Sequence, residues 1–273
     1  MGKNTSFGDR MKEYESCYNF KIPNRSYVII RLDGKGFSKY TKIFEKPFDD
    51  ILSNVMDVTT VELCKYLNPL FAYTQSDEIS LVFSTIENID AELPFDGKVQ
   101  KLCSVSASKV TAAFNKTMLR LLGSFKYNPE ELFAKITSGD FAEIDAVFDS
   151  RVFVIPDFRE VSNYFIWRQQ DCTRNSVSMA AHALLGHSAT MNKSSEQKQE
   201  MLFQEKGVNW NDYATKYKRG TIIRKQTIFV DGQMGDVQRS KWLPDYETPI
   251  FTQEKEYLYK LIPTIQIAED NIA

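Results

Sequence analysis

The amino-acid sequence predicts an α+β fold in which an antiparallel sheet carries helices on one face and a C-terminal extension follows. Two observations predict it. Short β-branched apolar runs and longer stretches of helical spacing follow one another in the order strand, helix, strand, strand, helix, strand. Hydrophobic residues make up 42% of the 273 residues, which is enough to bury a sizeable core.

Tyr27-Val28-Ile29-Ile30-Arg31-Leu32 is apolar, β-branched and too short for a helix, and it ends in the turn signal Asp33-Gly34-Lys35-Gly36. From Phe48 to Tyr66, Leu52, Val55, Met56, Thr59 and Leu63 recur at helical spacing, with Asp49 and Asp50 where a helix dipole favours them. Asn68-Pro69 breaks that helix. Leu70–Tyr73 and Ile79–Phe83 then read as a hairpin whose tip, Thr74 to Glu78, is acidic. Lys101 to Leu122 reads as a second helix, with Val110, Phe114, Met118 and Leu121 on one face. Arg151 to Ile155, before Pro156, reads as another strand. This order is the split βαβ, ferredoxin-like unit, which is also the palm of many polymerases and nucleotide cyclases. Asn128 to Asp149 is irregular and acidic and reads as an insertion or a short helical excursion. Val161–Trp167, Val177–Leu185 and Thr190–Gln204 suggest further helix, and Lys218 to Ile223 a turn into a strand. Gln226 to Ala273 reads as an extension that wraps or mediates assembly.

Composition narrows the chemistry. With 34 Lys and Arg against 36 Asp and Glu, the chain lacks the global basic excess of proteins that hold nucleic acid by phosphate neutralisation alone. Cys17, Cys64, Cys103 and Cys172 form no C-x-x-C pair, so they read as reduced cytosolic thiols. Met1 to Glu15 lacks the apolar core of a signal peptide, and no stretch reaches the roughly 20 apolar residues of a membrane span. A cytoplasmic protein without a membrane partner is expected. The two histidines, His182 and His187, are not spaced as a helical metal pair, so a metal should be held by carboxylates, as Mg²⁺ is.

Asp33 at a strand end and Asp77-Glu78 in a hairpin turn are the carboxylates that two-metal phosphoryl transfer needs, holding two cations roughly 3.5–4 Å apart. Asp33 and Asp77 are the expected ligands, and Gly34, with no Cβ, leaves its carbonyl accessible to join them. On spacing alone two ordinary acidic turns are an equal reading, because Asp is a favoured turn residue. Lys35, Lys39, Lys46, Lys98 and Lys101 are candidate charges for a triphosphate, Gly36 and Phe37 complete the loop beside Lys35, and Ser76 is a phosphate donor or a turn cap. The run Tyr164 to Asn175 interleaves aromatic and basic residues. Phe165 and Trp167 read as core, and Arg168, Arg174 and Asn175 as RNA contacts.

Six segments together resemble the tRNA-His guanylyltransferase family: Arg31–Lys35, Phe44–Pro47, Tyr73–Glu78, Phe148–Arg151, Trp167–Cys172 and Tyr217–Thr221. The resemblance implies that Asp33, Asp77 and the Gly34 carbonyl bind two Mg²⁺ ions, that Glu78 supports them, and that Lys46, Ser76, Lys98 and Lys101 contact nucleotide triphosphates. Arg151 joins the expected RNA contacts. The implied reaction adenylylates a 5′-monophosphate with ATP, after which the 3′-hydroxyl of GTP or another NTP attacks, so that tRNA grows in the 3′-to-5′ direction. The implied assembly is a homotetramer in which one tRNA touches several subunits. Residues 1–225 would form the palm-like nucleotidyltransferase catalytic domain and residues 226–273 the extension. Where enzymes that add the tRNA-His guanosine carry His-Ile-Asn-Asn-Leu-Tyr-Asn, this chain has Thr173-Arg174-Asn175-Ser176-Val177. That is similar to the Thg1-like protein branch, which implies template-directed repair of tRNA 5′ ends. Non-templated guanylyl addition to tRNA-His, a palm-type nucleotide cyclase and a catalytically silent RNA-binding protein are the competing readings.

Overall fold

The computed structural model describes residues 6–86, 90–122, 145–232 and 235–264. Its order is α1 (Phe7–Ser16), β1 (Tyr27–Gly34), the short α2 (Phe37–Tyr40), α3 (Asp50–Leu67), β2 (Phe71–Gln75), β3 (Glu78–Ser84), α4 (Val99–Leu122) and β4 (Phe148–Ile155). Then come α5 (Phe158–Leu185), α6 (His187–Thr190), α7 (Ser195–Lys206), α8 (Thr215–Arg219), β5 (Thr221–Gly232), β6 (Gly235–Asp245) and α9 (Lys255–Tyr259). The expected acidic insertion at Asn128 to Asp149 lies outside the described residues up to 144.

Local chemistry sets the element ends. The Asp49 carboxylate accepts from the Leu52 N–H at 2.9 Å and so caps α3, while Asn68, at φ 53°, closes it in the left-handed region before Pro69. Asp157 caps α5 in the same way, accepting from Arg159 and Glu160. The helical patterns at 161–167 and 177–185 are one continuous helix, because no Gly or Pro interrupts residues 158–185.

The sheet has six strands in the order β4-β1-β3-β2-β5-β6, and every pairing is antiparallel. Strand periodicity divides β1 between two cores. Val28, Ile30 and Leu32 pack with Val55 and Leu63 of α3 and Val110 and Phe114 of α4. Tyr27 and Ile29 pack with Val161 and Phe165 of α5 on the opposite face. The helices of the split βαβ unit therefore share one face as expected, and α5 covers the other. Each fully buried Val, Ile, Leu or Phe contributes about 1.5–3 kcal/mol.

Two expectations are corrected here. The boundary placed after residue 225 falls inside β5, which pairs with β2 over Thr221–Arg224 and with β6 along its length, so the C-terminal segment is part of the sheet. Phe251, Leu258 and Ile262 beyond it are buried in the α5-side core. Trp167, expected in the core, is 47% exposed, with the Arg168 guanidinium 4.3 Å from its ring centroid.

Candidate active site

Asp33 ends β1 and Asp77 occupies the β2–β3 turn, and the two meet because the Gly34 N–H donates to the Asp77 carbonyl at 3.2 Å. Ser76 holds the turn at φ 48°, a left-handed conformation uncommon for a residue with a side chain. A Cβ on Gly34 would stand 2.2 Å from the Phe37 ring, so glycine is what lets the chain fold back beside Asp33. Both aspartates are partly exposed. Burial pushes the Asp77 carboxyl above its usual range, and the charge of Asp33 adds to that shift. A cation would relieve this crowding of like charge, so the donor set fits Mg²⁺, which takes one or two carboxylates and completes its shell with water and phosphate. Among the described residues no three His, Cys, Asp or Glu side chains converge as a closed cage.

Glu78 points elsewhere. It is buried, its Oε1 accepts from Arg168 Nε at 2.7 Å and its Oε2 from Arg168 Nη2 at 2.8 Å, and Arg31 Nη2 lies 2.8 Å from Oε2. Arg168 also donates to Asp171 Oδ2 at 2.7 Å. Arg168 is 3% exposed and spent on these acids, which corrects its assignment as an RNA contact. Burial works against ionised Asp171, yet Arg174 and Arg168 hold its carboxyl below the usual range. The chain of charge thus runs from the hairpin through a buried guanidinium to exposed Arg174 and Asn175. Arg31 was missed in the sequence, although the two-residue period of β1 puts it on the same face as Asp33.

A cavity of about 820 Å³ opens over this sheet end, lined among others by Asp33, Asp77, Phe44, Lys46, Phe48 and Asp171. That volume suits a nucleotide. Phe48 stacks on Tyr217 of α8 at 4.6 Å and 9°, and the Tyr217 hydroxyl donates to Asp50 at 2.5 Å. Ser76, Asn175 and Phe37 also border the cavity, Phe37 with its ring packed on Phe114 and Phe148. Lys35 and Gly36 sit on the exposed rim, and Arg151 lies 3.8 Å from Asp33. Lys98 and Lys101 are a correction. Thr111 and Asn115 of α4 reach Phe148 and Ala146 beside the site, whereas Lys98 bridges to Lys21 at the other end of the helix. About 12 residues at 1.5 Å each place these lysines roughly 18 Å away along α4.

The family model described as tRNAHis guanylyltransferase matches residues 8–156, and the model of that family's C-terminal domain matches residues 159–256. The chain belongs to the tRNA-His guanylyltransferase family. Its members are nucleotidyltransferases, and the hairpin carboxylates lie in the first of the two matched segments. An uncharacterized protein of Acanthamoeba polyphaga mimivirus is 34% identical over 250 residues, covering 88% of this chain and 84% of that protein. A probable tRNA(His) guanylyltransferase of Drosophila melanogaster is 29% identical, covering 89% and 82%. Among solved structures, a bacterial Thg1-like protein in complex with ATP superposes with a TM-score of 0.77 at 36% identity, over 94% of this chain and 99% of that one. The same kind of protein in complex with GTP gives a TM-score of 0.72 at 36% identity, with the same coverage.

Proposed function

We propose that this member of the tRNA-His guanylyltransferase family performs template-directed 3′-to-5′ nucleotide addition at the 5′ end of tRNA, a repair reaction. The observation that carries the reading is the pair Asp33 and Asp77 at the mouth of a nucleotide-sized cavity. In the first step a 5′-monophosphate oxygen attacks the α-phosphorus of ATP and pyrophosphate leaves. In the second, the 3′-hydroxyl of an incoming NTP attacks the activated 5′ phosphorus and AMP leaves. Asp33, Asp77 and the Gly34 carbonyl are the groups that would hold Mg²⁺, which when bound would neutralise phosphate charge and acidify the attacking hydroxyl. Lys46, whose ammonium now donates to the Thr41 carbonyl, and Ser76 meet the triphosphate. Arg151, Arg174 and Asn175 remain exposed for RNA phosphates. Templating is supported by Thr173, whose hydroxyl donates to the Lys218 carbonyl at 2.9 Å and offers no histidine to a tRNA-His determinant.

With a net charge of −2 on one chain, a homotetramer that shares its tRNA among subunits supplies the remaining phosphate contacts. No helix among the described residues is long and apolar enough to cross a membrane, and a cytoplasmic setting fits tRNA as substrate. The test is extension of a tRNA lacking its 5′ nucleotide, with Mg²⁺, all four NTPs and each base in the opposing position. The expected product follows the opposing base, and Asp33→Ala and Asp77→Ala abolish it while leaving circular dichroism unchanged. Addition of G whatever the opposing base would establish non-templated transfer instead. Full activity in either variant would remove the two-metal reading.

A further inference from the structure

We propose that Ser178, His182 and Lys198, with His187 beside them, form a phosphate-binding subsite at the end of the cavity remote from the hairpin carboxylates. The phosphate belongs to bound RNA or to a nucleotide, so the inference rests on the reading that both enter this cavity.

Asp171, Asn175, Ser178 and His182 recur at spacings of four, three and four, which puts them on one face of α5, and all four line the cavity. The helix passes the hairpin at Arg168, which binds Glu78, and His182 lies about 21 Å further along it at roughly 1.5 Å per residue. Three elements converge there. The Lys198 ammonium of α7 donates to the Ser178 hydroxyl at 2.9 Å, and the His187 ring of α6 meets the His182 ring with 4.7 Å between centroids. Ser178 and His182 are one helical turn apart, which brings the ammonium beside the imidazoles.

No carboxylate answers this charge. Among the described residues no ion pair joins Lys198, His182 or His187 to an acid, and no residue three or four positions from Lys198 or His182 is acidic. The acid of that α5 face, Asp171, is spent on Arg168 and Arg174. Burial and then the charges of His187 and Lys198 hold the His182 imidazolium below its ordinary pKa, the cationic counterpart of the crowding between Asp33 and Asp77. An anion would relieve it. Lys198 supplies a full positive charge, and the imidazole N–H groups and the Ser178 hydroxyl supply donors to several oxygens, a set that suits phosphate. The subsite shares its wall with the nucleotide-transfer carboxylates, so the anion that reaches it is carried by a substrate already held in the cavity.

The test is binding without turnover, using the full chain in Mg²⁺ at neutral pH. The probes are a labelled tRNA lacking its 5′ nucleotide, followed by fluorescence anisotropy over a series of salt concentrations, and a non-hydrolysable ATP analogue in equilibrium dialysis. Lys198→Ala is expected to weaken one of the two roughly fivefold or more and, where that ligand is tRNA, to reduce the salt slope by about one. His182→Gln should weaken the same ligand, and Lys198→Arg, which keeps the charge, should stay close to the unaltered chain. A loss confined to tRNA assigns the subsite to an RNA backbone phosphate, and a loss confined to the ATP analogue assigns it to a triphosphate. Unchanged affinity for both, an equal loss of both, or a loss that Lys198→Arg does not rescue would each overturn the assignment. An unaltered chain that binds tRNA without extending it would count against the repair reaction alone, and the binding comparison would still decide the subsite.

Discussion

At Glu78 one buried carboxylate meets two guanidinium groups, Arg31 and Arg168, and none of the three is in bulk water. Burial pushes the Glu78 carboxyl up while the two arginines pull it down. Such a cluster contributes little net stability as a whole, yet removing one member leaves uncompensated charge. Glu78→Gln is therefore expected to lower the unfolding free energy by about 3–5 kcal/mol, read from the denaturant midpoint. An unchanged midpoint would mean that the arginines find other partners. Asp57 gives a pH-dependent counterpart. Burial moves its carboxyl up to about 6, Lys216 from α8 and the Tyr246 hydroxyl oppose the shift, and an aspartate in the unfolded chain titrates near 3.8. The native state binds the proton more tightly, so this contribution is full below about pH 4 and is lost as pH rises through 6, a change of about 3 kcal/mol. Asp57→Asn cannot ionise and should flatten that slope. Denaturation of both proteins at pH 4.5 and 7.5 checks it, and parallel behaviour would place the titration elsewhere.

Helix α5 is the element that joins chemistry to scaffold. Its inner face seats Phe165 in the core, its Arg168 fixes Glu78, and Gln169 ties down the C-terminal segment by donating to the Pro249 carbonyl and accepting from the Phe251 N–H, both at 2.8 Å. Gln169→Leu keeps the volume and orphans both backbone groups. A loss of about 2–4 kcal/mol is expected, seen as a lower Tm. If the Tm stays put, water or a shifted side chain has replaced the amide.

For the molecule as a whole, the sheet is one cooperative unit that runs past residue 225. A chain ending at residue 225 would lose β6, most of β5 and the buried Phe251, Leu258 and Ile262, and would expose the β6-facing edge of the short β5 segment that remains and one end of the α5-side core. It is expected to melt without a cooperative transition, or to aggregate through the exposed edge. A sharp two-state melt of that fragment would show that residues 1–225 fold by themselves.

The sequence by itself determined the element order, the hairpin with its acids at the tip, and the meeting of Asp33 with Asp77. Strand periodicity, turn residues and caps act over a few residues, and antiparallel neighbours leave few alternatives for where a turn lies. Phe48–Tyr66 was legible as a helix to within two residues at each end for that reason. Tertiary structure alone decided which charges are spent. Arg168 reads as a surface cation until packing buries it on Glu78, and Lys98 and Lys101 read as site lysines until the direction of α4 carries them to the far end. Partnership, burial and separation along a helix depend on contacts between residues as far apart as Glu78 and Arg168, and local spacing holds no record of them.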